Sequence, residues 1–382
     1  MDHSQLIPLS KTYLTGVEQK YLSDVSVTRK LAGPGAHSLA CQKIIQNWSG
    51  AHAAFLVPSC TAALEMSALL LDLSPGDEVI MPSYTFVATA NAVVLRGAAP
   101  VFIDVDPVTF NLDPALIEPA ISAKTKAIFV VHYAGVPADM DAILAIAAKH
   151  NLKVVEDAAQ AYGSTYKGKP AGTMGMMGCV SFDSLKNITA GECGALLIND
   201  ENLVDRAAIV REKGTDRTRF LQGKVDAYTW QDVGFSNVVN ELTAGFLRAQ
   251  LEHADAINQQ RLLIWQKYQE TFGAVKSNVM QLPRPPANIS HNAHIYFVVL
   301  PDKQKRVSLQ QHLATAGIST ATHYMPLHSA AAGKRFGRIA GSMTNTDKAG
   351  DCLLRLPLFN DLGSSQDRVI EAALEWSKGA DN

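Results

Sequence analysis

Lys186 stands in the stretch CVSFDSLKNITAGECGALLIND (residues 179–200), between two short apolar runs that read as strands. Around it are Asn187, Thr189, Gly191 and Gly194, residues small enough to let a flat partner lie against the backbone. A lysine amine that attacks a carbonyl carbon needs that open approach, whereas a merely solvated loop lysine does not. About thirty residues earlier, KVVEDAAQAYG places Asp157 just past a buried strand, with Gln160 three positions on. Asp157 fits a helix N-cap. It fits equally a carboxylate at a cleft floor, pairing with a protonated ring nitrogen and keeping that ring electron-withdrawing. In VPSCTAALEMSALLL a strand ends, a tight turn follows and an alanine-rich helix begins. Such a helix N-terminus offers free N–H groups to a phosphate, and capping by Ser59 or Thr61 is compatible with that use. Phe86, in MPSYTFVATANAV, is placed either to stack on a flat ring or to fill the core. Lysine, acid, phosphate turn and aromatic together point to pyridoxal 5′-phosphate chemistry.

Other chemistries fit less well. The glycine cluster GTMGMMG (172–178) precedes a strand instead of following one, and no G-x-x-x-x-G-K-[ST] occurs. His132, His294, His323 and His328 are not at metal-like spacings, so no metal is expected. The five cysteines are scattered without a C-x-x-C pair, which fits a reduced, cytoplasmic protein. A net charge of −2 gives no reason to expect nucleic acid or an acidic membrane face as partner. No apolar run is long enough for a membrane span, and the N-terminus lacks the pattern of a signal peptide.

Positioning these residues requires a layered α/β architecture, and the chain supplies one. Of its 382 residues, 47% are hydrophobic and 18% charged, which suits a large core. Strands are expected at 53–57, 78–81, 100–103, 127–131, 153–156, 179–182 and 195–198. Their unbroken β-branched character predicts burial on both faces, in a mixed, mostly parallel seven-stranded sheet sandwiched by helices. A long helical region over roughly 239–270 leads to a proline-rich loop at 278–290. Strands at 294–300 and 319–324 and helices at 308–317 and 366–377 then predict a smaller C-terminal α+β unit. The expected division is a large domain over 1–250, with an N-terminal arm over 1–40, and a small one over 251–382.

Across nearly its whole length the chain resembles the DegT/DnrJ/EryC1/StrS family, nucleotide-sugar aminotransferases of PLP-dependent transferase fold type I. The resemblance rests on the combination of PSCTAALEMSALLLDLSPGDEVIMPSYTFVATANAVVLRGA, VHYAG, KHNLKVVEDAAQ, LKNITAGE, REKGTDR, HYMPLH and LLRLPLF. It implies that Lys186 bonds covalently to pyridoxal phosphate and that Asp157 pairs with the pyridinium nitrogen. Gln160 would contact the ring hydroxyl and Phe86 would stack on the ring. The turn amides of Cys60 and Thr61, with the Ser181 hydroxyl, would hold the phosphate. The family's G-[YF]-N-[YFN]-R segment reads VGFSNVVNEL here, so Ser236 replaces an asparagine that reaches the neighbouring subunit's phosphate. A homodimer or larger assembly is implied. Cys193 departs from a usually glycine-rich turn.

Within the family the chain is most similar to the group forming dTDP-4-amino-4,6-dideoxygalactose for surface polysaccharide and enterobacterial common antigen. That implies transfer of the L-glutamate amino group to C4 of a dTDP-4-keto-6-deoxyhexose. Arg217 and Arg219, in the basic loop 211–224, are candidates for the sugar-nucleotide pyrophosphate, and His323 and Tyr324 for the sugar. A 3-aminotransferase or a UDP-linked 4-aminotransferase of the same family is the alternative. The family's dehydratases carry histidine in place of the lysine, so Lys186 argues against that branch. A non-catalytic regulatory protein would not need Lys186, Asp157 and Gln160 together.

Overall fold

The seven expected strands all form, and all lie in one sheet. The computed structural model describes residues 6–275 and 279–380. The first five residues of the expected arm and the start of the proline-rich loop lie outside them. In chain order the strands are β1 (Ala53–Val57), β2 (Glu78–Pro82), β3 (Ala99–Ile103), β4 (Thr125–Val131) and β5 (Lys153–Asp157). They continue as β6 (Thr165–Tyr166), β7 (Lys169–Pro170), β8 (Met177–Ser181), β9 (Gly194–Ile198), β10 (Ile289–Ser290) and β11 (Tyr296–Val299). The last are β12 (Arg338–Ile339) and β13 (Leu353–Leu356). The main sheet runs β1-β9-β8-β5-β4-β2-β3-β12. Its neighbours are parallel except where β9 pairs antiparallel with β1 and β8.

Every residue of β2, β8 and β9 is buried. Helices Cys60–Leu70 and Val87–Val94 cover one face and Met140–Lys149 another. Each Val or Ile side chain fully withdrawn from water there contributes roughly 1.5–3 kcal/mol.

Four differences from the expectations have local causes. β8 begins two residues earlier than expected, inside the glycine cluster. A Cβ at Gly178 would lie 2.0 Å from the Gly172 carbonyl, so this strand position accepts only glycine. The two-residue β12, in a segment with no apolar run, adds an eighth strand beside β3. The long helical region breaks at His253 into Glu241–Glu252 and Ala254–Ala274. The ring nitrogen of His253 there bonds the Ala249 carbonyl at 2.9 Å. The expected strand 319–324 reduces to one bridge between Ala321 and Arg355, on the edge of β13 opposite β11, because Ser319 at its start bonds the Ile7 carbonyl instead.

β11 and β13 pair antiparallel and share a second hydrophobic core with helices Ala254–Ala274, Lys303–Thr315 and Ser365–Ala380. Ile7 packs into this second core. Its backbone bridges Gly317 and Ser319 through hydrogen bonds of 2.9 Å each. Helices Glu18–Thr28 and Ala36–Ser49 follow, and Glu241 caps the latter by accepting from the His37 and Ser38 amides. Among the described residues no helix is long and apolar enough to cross a membrane.

Candidate active site

The carboxyl ends of the parallel strands open into a cavity of 430 Å³, large enough for a cofactor-sized ligand. Asp157 ends β5 and Ser181 ends β8. Cys60 and Thr61 begin the helix over the turn after β1, and Phe86 precedes helix Val87–Val94. Lys186 rises from the loop joining β8 to β9. His323 and Tyr324 arrive from the opposite side, after the Ala321 bridge. All eight residues, with Gln160, line this one cavity.

Ser59 caps the helix by accepting from the Ala62 amide at 3.1 Å. The Cys60 and Thr61 amides find no acceptor among the described residues. Two donors at a positive helix end therefore face the cavity. Gly194 lets β9 approach this turn, since a Cβ there would meet the Cys60 nitrogen at 2.5 Å.

Lys186 is half-buried, and its Nζ has neither ion pair nor hydrogen bond among the described residues. Burial pulls its ammonium below the usual lysine range, against the opposing pull of Asp183, Cys60 and Asp157. More of the amine is then the nucleophilic free base near neutral pH. Asp157 shows the opposite effect. Burial pushes its carboxyl up, although Thr89 Oγ1 donates to it at 2.7 Å and the Ala159 amide at 3.2 Å. Each group is held off its ordinary pKa for want of a partner that the cavity does not itself contain. A flat ring with a cationic nitrogen over Asp157, a carbonyl carbon at Lys186 and a phosphate at the Cys60–Thr61 turn fits all three, so the residues suit pyridoxal phosphate.

Gln160 accepts from the Ala134 amide at 2.7 Å and donates to Tyr324 Oη at 2.6 Å. One amide hydrogen remains for a ligand. Phe86 is 55% exposed at the mouth, with its ring 6.3 Å from that of Tyr324, so it is not a core aromatic. His323 stacks on Tyr324 at 3.9 Å, and its Nδ1 meets Tyr133 Oη at 2.9 Å. Burial first, then Arg355 and Lys186, hold His323 well below the usual histidine range, so the ring is neutral.

Three expected residues lie elsewhere in their own chain. Arg217 pairs with Glu212 at 3.0 Å and Arg219 with Asp205 at 3.3 Å, Arg219 on a separate surface cleft. Ser236 is exposed and bridges Glu212 through its backbone. Cys193 is buried under the sheet with its Sγ 3.5 Å from the Val57 carbonyl, and burial pushes its thiol up to about 12. It is a core residue, not a reactive one. No cluster of metal-ligating side chains occurs among the described residues.

Three residues went unassigned in the sequence, two of them lining the cavity and one standing behind Asp157. Thr89 orients Asp157 from one turn into the Val87–Val94 helix. His294 lines the cavity beside Lys186. Its Nδ1 meets Asn187 Oδ1 at 3.1 Å, while the Asn187 amide nitrogen is committed to Asn258 and to the Asn292 carbonyl. That oxygen can only accept, so the His294 proton is on Nδ1. Arg355 sits in β13, a lone cation within the apolar run LLRLPLF, and that isolation was the available signal.

A model of the DegT/DnrJ/EryC1/StrS aminotransferase family matches residues 13–374. The pleiotropic regulatory protein of Geobacillus stearothermophilus is 35% identical over 317 residues, covering 82% of each chain. The aminotransferase TlmJ from Streptoalloteichus hindustanus superposes with a TM-score of 0.90 at 28% identity, over 98% of this chain and all of its own. S. venezuelae DesV does so at 0.89 and 29% identity, over 98% and 99% of the two chains. With its lysine, carboxylate and helix turn converging on one cavity and this match over most of its length, the chain belongs to the DegT/DnrJ/EryC1/StrS aminotransferase family.

Proposed function

We propose that the chain is a pyridoxal phosphate-dependent sugar aminotransferase that moves the amino group of L-glutamate to C4 of a dTDP-4-keto-6-deoxyhexose, giving dTDP-4-amino-4,6-dideoxygalactose. The observation that carries the chemistry is the partnerless Lys186 amine in the same cavity as the buried Asp157 carboxylate. Bound pyridoxal phosphate supplies an electron sink for the carbon that loses its proton. Lys186 Nζ takes the proton from the donor's α-carbon, and its depressed pKa leaves it able to do so near neutral pH. Asp157, held by Thr89, keeps the ring nitrogen protonated. The Cys60 and Thr61 amides and the Ser181 hydroxyl hold the phosphate, Gln160 the ring hydroxyl, and Phe86 covers the ring face. The regulatory name of the Geobacillus relative does not displace this reading, because a scaffold has no use for an uncompensated buried amine.

The acceptor is argued from the loops. A nucleotide diphosphate needs cationic partners, and Arg217, Arg219 and Lys224 supply them away from their own chain's cavity. They serve the site of a second copy in a homodimer, as Ser236 serves its phosphate. Exposed Phe86, Val87, Leu185 and Met325 give the mouth an apolar rim for that copy to cover. Light scattering of the holoenzyme is expected to give at least a dimer; a fully active monomer refutes this arrangement. For the substrate, NMR of the product from dTDP-4-keto-6-deoxyglucose and glutamate is expected to show the amine at C4. Amination only at C3, or only of UDP-linked sugars, overturns the acceptor while leaving the pyridoxal chemistry intact.

A further inference from the structure

Thr85 lines the active-site cavity in the turn between β2 and helix Val87–Val94, and it is buried. Its hydroxyl lies 2.8 Å from that of Thr89, a buried residue one helical turn further on. Thr89 Oγ1 in turn donates to Asp157 Oδ2 at 2.7 Å. The three groups make a continuous chain from the cavity wall to the carboxylate.

A threonine hydroxyl carries one hydrogen and can accept as well, whereas an ionised carboxylate only accepts. Thr89 must therefore give its hydrogen to Asp157, and Thr85 must give its own to Thr89. The chain has a single direction while Asp157 is charged. A proton on Oδ2 reverses both bonds at once. Asp157 then donates to Thr89 and Thr89 to Thr85, and the Thr85 hydrogen is freed for the cavity. Hydrogen bonds in such a chain polarise one another, so Thr85 strengthens the donor that Thr89 offers.

Little else supports the charge. Among the described residues the other donor to Asp157 is the Ala159 amide, at 3.2 Å. The titratable groups facing it are Lys186 from the β8–β9 loop, His132 just past β4, Cys60 in the phosphate turn, Cys179 in β8 and Tyr324 from the opposite wall. They act on Asp157 through space and not through a hydrogen bond. Glu156, the preceding residue in β5, turns to the other face and pairs with His132 at 2.8 Å.

Resting on the transaminase reading above, we infer that Thr85 is a positioning residue of that reaction, which through Thr89 holds Asp157 in the charged and aimed form that the cofactor's ring nitrogen needs.

Cofactor-free protein gives a readout that turnover does not enter. In Thr85→Val the proton affinity of Asp157 is expected to rise roughly 3- to 10-fold, the loss of one hydrogen bond in the chain. Melting curves against pH read this. In acid both folded proteins carry the proton, and the deficit of the variant is that of a lost neutral hydrogen bond. As pH rises through the value at which wild-type Asp157 ionises, the deficit should widen, because the variant buries a less supported charge. Thr85→Ser keeps the hydroxyl and should follow wild type throughout. Added to Asp157→Asn, or to Thr89→Val, which already cuts the chain, Thr85→Val should cost the same at every pH. A deficit constant with pH in the otherwise wild-type protein, or one that still widens beside Asp157→Asn, marks packing alone and overturns the inference. In the loaded enzyme Thr85→Val should lower kcat about 5- to 10-fold in both half-reactions, with Thr85→Ser within about 3-fold of wild type. Unchanged kcat in Thr85→Val also overturns it. A pH-dependent coupling in a protein that takes up no pyridoxal phosphate overturns the transaminase reading instead, and leaves the chain from Thr85 to Asp157 standing.

Discussion

Replacing Lys186 with alanine is expected to abolish turnover, a loss of at least about 10³-fold, and to remove the visible absorbance of the bound cofactor without unfolding the protein. The fold survives because Lys186 contributes no ion pair or hydrogen bond through its side chain among the described residues. Its loop is held by others. Five register pairs join β8 to β9, and Asn187 anchors the adjacent position to Asn258 and the Asn292 carbonyl. Removing a half-buried amine whose charged form is disfavoured does not destabilise what remains. Circular dichroism, the absorbance spectrum and the product assay on the same preparation check all three parts. A yellow, active Lys186→Ala enzyme is incompatible with the site described above.

Asp157→Asn should cost roughly 10²–10³ in kcat yet make the cofactor-free protein more heat-resistant near neutral pH. The folded pKa of Asp157 is raised above its ordinary 3.8, first by burial. Below that ordinary value both folded and unfolded chains carry the proton, and the group costs nothing. As pH rises through the raised folded value, the folded state must bury a charge, and stability falls relative to an amide of the same shape. Asparagine keeps an oxygen for the Ala159 amide or the Thr89 hydroxyl, so the local geometry is preserved. Melting curves of the two cofactor-free proteins should converge in acid and separate near neutrality, with the variant higher. If wild type melts higher at neutral pH, the carboxylate is not the strained group that its surroundings imply.

Much of this was legible in the residue order, for reasons that differ between elements. The seven long strands were readable because double-sided burial leaves an unbroken apolar signature that needs no knowledge of partners. β12 was not, since two residues gain their identity as a strand only from β3 alongside. Lys186, Asp157 and the Cys60 turn were marked by short-range chemistry: a lysine among small residues, an acid at a strand end, a helix start. Thr89, His294 and Arg355 act through residues 68, 107 and many more positions away in the chain, or through none at all. A threonine one turn into a helix looks like an ordinary surface choice, and an arginine in an apolar strand stands out without naming a partner, until the fold brings Asp157 and Lys186 beside them. Phe86 needed the structure for a different reason: only exposure distinguishes a stacking ring from a core one.

The strand β12 and the residue Ile7 each lie in the territory of the other part of the molecule. β12 is hydrogen-bonded to the main sheet, and Leu327 and Met343 beside it sit in that sheet's core, between stretches (Leu309 to Ile318, and Leu354) that pack with β11 and β13; Ile7 sits in the core of those two strands, though the chain after it returns to the sheet. The polypeptide is therefore laced across the cavity from both ends, more like a shoe than a hinged book. Asp157 and Lys186 stand on one side of that lacing and His323, Tyr324 and Arg355 on the other. Backbone hydrogen bonds thus join the two sides at more than one place. Traffic of two dissimilar substrates through one chamber then falls to the side chains at its rim, because the walls themselves are tied.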